Sequence, residues 1–200
     1  MAGGDRIGCV ALAEVAYTQR QIAERVAELA ESIRDEMTGH RPLLVSVLDG
    51  SVMFLADLVR ALKVDCDIDF LSVSSYPGKP EAAGVVRIIK DLEFLLEGRR
   101  VVLIEDIVDT GLTLAFLLRT LEARNPHSLS VCTLVNKPVR RIAQPPIDYS
   151  GFETDKFLVG YGLDFQGRYR NLPYMLGIKD VPALVQDPSG LDALSSFSAG

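Results

Sequence analysis

Three acidic residues and a glycine turn lie close together in the middle of the chain: Glu105, Asp106 and Asp109, followed directly by Thr110-Gly111. Neighbouring carboxylates suit ribose hydroxyls or a hard divalent cation, because both bind oxygen acceptors. The backbone amides of a glycine turn that opens a helix favour an anion such as a phosphate. Together these groups predict a site for a phosphorylated sugar.

Two predicted elements position these groups. Val101 to Ile104 is a continuous apolar run typical of a buried strand. We expect that strand to end before Glu105, because unpaired acids are costly to bury. From Thr113 the spacing is helical, with one apolar face that contains Leu114, Leu117, Leu118 and Leu121. The acids then occupy a strand–helix junction, where open α/β sheets bind ligands.

Two further strand ends of the same kind are predicted. Leu43 to Leu48 is a short apolar strand that leads through Asp49-Gly50 into helical spacing from Val52 to Leu62. Ser128 to Val135 is another buried strand, which is followed by the cation Lys137. All three strands therefore carry polar or glycine residues at their carboxyl ends, the ligand-binding edge of such a sheet.

The rest of the chain contains several weaker patterns. Thr18 and Gln21 form a predicted capping box for a long amphipathic helix that ends near Gly39. A period-2 strand is predicted with its apolar face formed by Val64, Cys66, Ile68 and Phe70. A loop containing two prolines and two glycines follows at 74–84, and a loop of this length is usually functional or disordered.

Composition limits the function classes. A net charge of −6 and a pI near 5.0 argue against nucleic-acid binding as the main function, which needs a basic face. Cys9, Cys66 and Cys132 are scattered, without metal-site spacing, and are expected to be reduced thiols of a cytosolic protein. We see no signal peptide and no apolar run of membrane-spanning length, so a cytoplasmic location is expected.

The Asp109-to-Thr113 turn, D-T-G-x-T after an apolar strand, resembles the phosphoribosyl-diphosphate (PRPP) binding motif of the type I phosphoribosyltransferases. The segment GFETDKFLVGYGLD at 151–164, followed by Arg170-Asn171-Leu172-Pro173, is similar to the members of that family that act on hypoxanthine and guanine. The resemblance extends from about residue 43 to 179, which is most of the chain.

The resemblance implies an α/β fold with a mainly parallel central sheet flanked by helices. It implies one domain over 1–200, with a core at about 40–150, a small hood from about 1–20 and 151–185, and a peripheral tail at about 186–200. The implied reaction is Mg²⁺-dependent transfer of 5-phosphoribosyl from PRPP to the 6-oxopurines hypoxanthine or guanine, giving IMP or GMP and pyrophosphate. A homodimer or homotetramer is also implied, with neither nucleic acid nor membrane as a partner.

The resemblance also assigns residues to roles. Asp109 is the implied catalytic base, acting on the purine at N7. The ribose and its 5′-phosphate are assigned to Glu105, Asp106, Asp109, Thr110, Gly111, Leu112 and Thr113. Pyrophosphate is assigned to Asp49, Gly50 and Arg170, although many relatives carry Lys or Arg at the Asp49 position. The purine is assigned to Lys137, Phe157 and Leu158, and metal ions to Glu105, Asp106 and Asp164.

Two features complete the implied site. In the family, the loop that contains Ser75 and Tyr76 closes over the reaction centre, and the peptide bond at the Leu48–Asp49 position is cis. Two alternatives stay open at this point: an enzyme that prefers xanthine, and a non-catalytic regulator that binds PRPP or a nucleotide on the same fold. Retention of Asp109 and the absence of a basic N-terminal domain argue against the regulator, and Lys137 argues against adenine as the base.

Overall fold

The computed structural model describes residues 12–75 and 86–192. The strands are β1 (Ala13–Tyr17), β2 (Leu43–Leu48), β3 (Asp67–Ser75), β4 (Val86–Lys90), β5 (Arg100–Val108), β6 (Ser128–Asn136), β7 (Tyr149–Glu153), β8 (Phe157–Val159) and β9 (Met175–Ile178). The helices are α1 (Gln19–Met37), α2 (Val52–Leu62), α3 (Leu112–Glu122) and α4 (Val181–Gln186), with a short 3₁₀ turn at Pro138–Arg140. Cys9 and Tyr76 lie outside the described residues.

The chain divides into two compact units, which we call the central unit (residues 25–155) and the terminal unit (residues 1–24 and 156–200). The central unit contains a six-stranded sheet in the order β4-β3-β2-β5-β6-β7. Every neighbouring pair in that sheet is parallel except β3 with the edge strand β4. The predicted α/β fold with a mainly parallel sheet is therefore confirmed. The division of the domain into core, hood and tail stays a prediction.

The middle strands of the sheet are buried on both faces. Leu43, Val45, Val101 and Leu103 belong to one buried cluster, and the four leucines predicted on the apolar face of α3 are buried in the same cluster. The alternate residues of these strands, such as Val102, point to the opposite face and are equally buried. Continuous apolar runs form such strands because neither face is left to water.

The predicted apolar face of β3 is wrong. The strand begins at Asp67 instead of Val64, and Ile68 is 38% exposed whereas Asp69 is 3% exposed. The Asp69 carboxylate can be buried because it accepts hydrogen bonds from the backbone amides of Phe70, Glu93 and Phe94. An acid whose oxygens are satisfied in this way costs far less to bury than an unpaired one.

The predicted end of β5 at Ile104 is also wrong. The strand continues through Glu105 and Asp106 to Val108, because the adjacent β6 extends equally far and pairs with Ile107 and Val108. Backbone hydrogen bonds to this neighbour outweigh the polar character of the two side chains. Glu105 is only 6% exposed as a result.

The terminal unit contains a separate antiparallel sheet in the order β1-β9-β8. Its apolar cluster includes Val159, Leu172, Tyr174 and Leu176. The predicted capping box is confirmed, because the Thr18 amide donates to the Gln21 side chain and the Gln21 amide donates back to the Thr18 hydroxyl. No helix in the described ranges is both long and apolar enough to cross a membrane.

Candidate active site

Three loops that carry predicted site residues lie at one edge of the central sheet. They follow β2, β5 and β6, which are adjacent and parallel, so their carboxyl ends face the same direction. The backbone amide of Lys137, after β6, donates to the carbonyl of Val108 at the end of β5 with an N–O distance of 3.0 Å. The structure thus brings the acidic junction and Lys137 to one edge, together with the Asp49-Gly50 loop.

Asp109 stands at the start of the loop after β5. Its Oδ1 atom is buried and has no hydrogen-bond partner within the described part of the chain. The nearest cation is the guanidinium of Arg140, whose Nε lies 3.3 Å from Oδ1 without hydrogen-bond geometry. The side chain as a whole is 35% exposed. A buried carboxylate oxygen that accepts no hydrogen bond calls for a functional explanation, because such groups are costly to maintain.

The two acids that precede this loop differ in their surroundings. Burial raises the pKa of Glu105 well above its usual value, and the neighbouring charge of Asp106 raises it further. Asp106 is more accessible, and its Oδ1 accepts a hydrogen bond of 2.7 Å from the Ile107 amide. Because both residues lie within a strand, their side chains point to opposite faces of the sheet. Burial thus disfavours the charged form of Glu105.

The loop from Asp109 to Thr113 has little space on one side. Gly111 has a φ of +79°, and a Cβ atom there would lie 2.5 Å from the carbonyl oxygen of Ala143. The amides of Ile142 and Ala143 donate to the carbonyl of Thr110, with N–O distances of 2.9 and 3.1 Å. Only glycine fits this close approach and this backbone conformation. The segment after β6 therefore holds the predicted phosphate loop in place.

Two arginines of that segment were not identified from the sequence. Arg141 donates through Nη2 to Asn136 Oδ1, while its Nη1 is buried without a hydrogen-bond partner in the described residues. Burial lowers the pKa of Arg141, and the charge of Asp109 opposes that shift. Consecutive arginines in the loop that follows a predicted strand were a usable signal, but only the fold places them beside Asp109 and Gly111.

Lys137 is 3% exposed, unlike the solvent-facing lysine that would be the usual occupant of a strand end. Burial lowers the pKa of its ammonium group, and the charge of Arg140 acts in the same direction. The charges of Asp109 and Asp155 oppose these effects and favour the ammonium form. A buried cation between acids is a donor held for a specific acceptor.

The Asp49-Gly50 loop follows β2. The Leu48–Asp49 peptide bond is cis, as the resemblance implies. Asp49 is exposed and Gly50 is buried. Behind the loop, the fully buried Ser51 hydroxyl lies 2.6 Å from that of Ser46 and donates to the carbonyl of Val47. This buried pair fixes the turn from which α2 begins.

The remaining predicted residues lie in the terminal unit. Phe157 packs edge-on against Phe165, with ring centroids 6.1 Å apart, and Leu158 is buried. Arg170 Nη2 lies 2.9 Å from Asp164 Oδ1, and Nη1 donates to the carbonyl of Gly162 at 2.7 Å. The predicted metal ligand and pyrophosphate ligand are thus an ion pair here. The guanidinium has five N–H donors, so further donors are left for an anion.

The structure gives less information about the predicted loop residues Ser75 and Tyr76 and about the predicted metal ligands. Ser75 ends β3, but the structure does not describe its side chain, and Tyr76 falls outside the described residues. Among residues 12–75 and 86–192, no three His, Cys, Asp or Glu side chains form a group that could hold a metal ion. Mg²⁺ commonly binds one or two protein carboxylates and completes its shell with phosphates and water. A site with only one or two of the predicted carboxylate ligands would therefore be enough for this ion.

Comparison with known proteins identifies the class. A model of the phosphoribosyl transferase domain matches residues 15–166, and the chain belongs to this family. It is 47% identical over 168 residues to a hypoxanthine-guanine phosphoribosyltransferase of Mycobacterium avium, which covers 80% of this chain and 83% of that protein. It is 41% identical over 165 residues to the hypoxanthine phosphoribosyltransferase of Escherichia coli, covering 81% and 93% respectively.

A solved structure gives the same result. The crystal structure of a hypoxanthine-guanine phosphoribosyltransferase from Bacillus anthracis superposes with a TM-score of 0.79 at 40% identity. The match covers 83% of this chain and 98% of that one. The resemblance inferred from the sequence is therefore confirmed.

Proposed function

We propose that this protein transfers the 5-phosphoribosyl group of PRPP to N9 of hypoxanthine or guanine, giving IMP or GMP and pyrophosphate in purine salvage. The observation that carries the proposal is Oδ1 of Asp109, a buried oxygen at the start of a glycine loop after β5 that accepts no hydrogen bond from the described residues. The names of the similar enzymes from Mycobacterium avium and Escherichia coli support the same reaction.

The 5′-phosphate of PRPP binds the loop from Asp109 to Thr113. Helix α3 begins at Leu112, and the left-handed conformation of Gly111 turns the preceding backbone towards the start of the helix. Backbone amides at the start of a helix and the helix dipole stabilise an anion. Asp106 accepts from a ribose hydroxyl. The assignment of Glu105 to the ribose stays a prediction.

Asp109 acts as the general base. Attack of purine N9 on C1 of the ribose leaves a positive purine, which must lose the proton on N7. A carboxylate oxygen that accepts no hydrogen bond can take that proton without first breaking one. The Nε atom of Arg140 lies 3.3 Å from this oxygen.

Lys137 selects the base. Its buried ammonium can only donate a hydrogen bond, so it favours the O6 carbonyl of a 6-oxopurine over the 6-amino group of adenine. Phe157 stacks on the purine ring, which gives affinity for several bases. Leu158 contributes main-chain groups that contact the 2-position edge of the base.

Pyrophosphate departs as the bond from C1 breaks, with positive charge developing on the ribose. The amides of the Asp49-Gly50 loop and the guanidinium of Arg170 stabilise the negative charge that builds up on the leaving group. Contact through the backbone explains how Asp49 can occupy a position that carries Lys or Arg in many relatives. Arg170 keeps free donors after pairing with Asp164 and Gly162, because its guanidinium has five.

The carboxylates present fit Mg²⁺ in their chemistry. Asp106 and Asp164 are partly exposed hard oxygen donors, whereas the raised pKa of Glu105 makes it a weaker ligand. Asp106 would hold one ion on the ribose side, and Asp164 a second on the pyrophosphate side. The assignment of Glu105 to a metal ion stays a prediction. When bound, Mg²⁺ neutralises charge on the pyrophosphate oxygens.

The experiment is a base panel. Purified protein is incubated with PRPP and either hypoxanthine, guanine, xanthine or adenine, with and without Mg²⁺, and nucleotide is quantified by chromatography. We expect Mg²⁺-dependent formation of IMP and GMP and at least about a hundredfold lower kcat/KM with adenine. Higher kcat/KM with xanthine would make it a xanthine-preferring enzyme. PRPP binding without turnover on any base would favour the regulator. The homo-oligomer and the cytoplasmic location stay predictions.

A further inference from the structure

A second cluster of charged groups lies at the opposite end of the central sheet. Three loops that precede β2, β5 and β6 surround a cavity of about 300 Å³ lined by His40, Arg41, Gly98, Arg99, Arg100 and His127. We call this the amino-edge cavity. The eight residue steps along β5 from Arg100 to Val108 span about 26 Å at the usual rise of a strand. The cavity is therefore far from the loop that contains Asp109.

Five of the six lining residues carry basic side chains, although the whole chain has a net charge of −6. Two of them are partly neutralised. Arg41 lies 2.8 Å from Asp67 and 3.2 Å from Asp65, and Arg99 also pairs with Asp67. These two acids hold the guanidinium groups in place, and each guanidinium keeps further N–H donors.

The other three basic side chains have no such partners. Within the described residues, Arg100, His40 and His127 make no ion pair or side-chain hydrogen bond. Arg100 lies opposite Ser128 in the pairing of β5 with β6, and the Ser128 hydroxyl is buried without a hydrogen-bond partner in that part of the chain. Arg100 and the two histidines therefore offer hydrogen-bond donors around one concave surface.

The backbone at Gly98 is also accessible from the cavity. Gly98 has a φ of +70°, and no atom lies within 4 Å of the position that a Cβ would occupy. The amide of His127 donates to the carbonyl of Arg99 at 2.8 Å, which fixes two of the three loops against each other. A volume of about 300 Å³ is at the lower end of the range for small-molecule sites.

We propose that the amino-edge cavity binds a small anion that carries a diphosphate group. Arg100 and the two histidines supply unpaired donors, and Arg41 and Arg99 supply oriented ones, which together suit two linked phosphates. Free pyrophosphate and a nucleoside diphosphate share this chemistry. The proposal goes beyond the proposed transferase reaction, since none of these residues belongs to its predicted site.

The sequence offers a selective probe of this cavity. The chain of 200 residues contains two histidines, and both line the cavity. NMR signals of histidine rings in the full-length protein, labelled with ¹³C in the imidazole, therefore report on the cavity alone. Pyrophosphate is titrated at constant pH and ionic strength, and ADP is titrated in a second series. Binding at the loop after β5 involves no histidine and cannot produce the signal.

We expect both histidine signals to shift saturably. Arg100→Gln should weaken the apparent affinity about tenfold or more, because a hydrogen bond to a charged group is lost. The matched control is Arg60→Gln, the same change at an exposed helix residue that pairs with Asp57, and it should leave affinity unchanged. Saturation by pyrophosphate alone identifies the free diphosphate, and tighter binding of ADP identifies a nucleotide.

A second variant covers the case in which Arg100→Gln does not fold. His40→Gln changes an exposed loop residue, keeps Arg100, and is followed through the His127 signal. It should weaken binding about three- to tenfold, the effect of one hydrogen bond. The proposal is overturned if neither histidine responds to millimolar pyrophosphate or ADP in the unaltered protein. It is equally overturned if both pocket variants keep the unaltered affinity.

Discussion

Asp69 and Asp109 lie in the same central unit, yet the hydrogen bonding of their carboxylate oxygens differs. Asp69 is almost fully buried, and its two oxygens accept three backbone amides. Asp109 is partly exposed, and its buried Oδ1 accepts no hydrogen bond from the described residues. The lone pairs of Asp69 accept hydrogen bonds that stabilise the fold, whereas Oδ1 of Asp109 makes no such contribution. Satisfaction of lone pairs thus separates a structural acid from a candidate catalytic one.

The largest effect that this comparison predicts is on turnover. Asp109→Asn removes the proton acceptor and should lower kcat by about 10²–10⁴-fold, the usual contribution of a general base. The measurement is the steady-state rate of IMP formation at saturating PRPP and hypoxanthine. Asp57→Asn on the exposed face of α2 is the matched control and should retain full activity. Turnover of Asp109→Asn near the level of the control would remove Asp109 as the base.

Asp69→Asn should affect stability instead. One carboxylate oxygen becomes an amide that cannot accept, so buried backbone amides lose a charged partner, at a cost of about 2–3 kcal/mol. Urea unfolding at pH 7.5, read by circular dichroism, gives the free energy of unfolding. At temperatures where the variant is folded, its kcat should equal that of the unaltered protein. An unchanged free energy of unfolding would contradict a structural role for Asp69.

The substitution Lys137→Gln tests whether the buried ammonium group of Lys137 binds the purine base. Gln can accept as well as donate, so it no longer discriminates against an amino group. We expect kcat/KM for hypoxanthine to fall about tenfold and the ratio of hypoxanthine to adenine use to fall by at least as much. Equal losses for every base would show that Lys137 supports the fold or PRPP binding and does not select the purine.

Glu105→Gln gives the smallest expected effect, and it has a defined pH dependence. Because the pKa of Glu105 is raised on folding, the folded protein holds this proton more tightly than the unfolded chain does. Stability therefore falls as the pH rises above the usual glutamate value of 4.5. Gln stays uncharged, so Tm at pH 7.5 should rise by about 2–4 °C, the shift expected for 1 kcal/mol.

The Tm gain from Glu105→Gln should shrink as the pH is lowered towards 4.5, where the unaltered side chain is protonated in both states. Calorimetry of both proteins across this range makes the comparison. A gain that does not depend on pH would show that burial does not raise the pKa of Glu105.

Much of the fold could be predicted because its signals are local. The apolar runs of β2 and the four leucines of α3 each determine their own structure, and the capping box of α1 spans only Thr18 to Gln21. The face of β3 could not be predicted, because Asp69 is satisfied by amides some 24 residues further along the chain. The extension of β5 beyond Ile104 depends in the same way on pairing with β6.

The site residues also differ in whether local sequence or the fold determines their position. The acids, the glycine turn and Lys137 could be identified because each stands at the end of a recognisable strand. Arg140 and Arg141 could not, since their proximity to Asp109 and Gly111 follows from the path of the chain after β6. The amino-edge cavity was missed for a similar reason, because its basic residues come from three separate loops.

We propose that Oδ1 of Asp109 serves chemistry, whereas the backbone of the loop from Asp109 to Thr113 binds the 5′-phosphate. The most direct test is the affinity of Asp109→Asn for PRPP in the presence of Mg²⁺, measured by isothermal titration calorimetry on the samples used for turnover. We predict a Kd within about threefold of the unaltered protein beside a kcat that is at least about a hundredfold lower. A loss of PRPP affinity as large as the loss of turnover would contradict the claim.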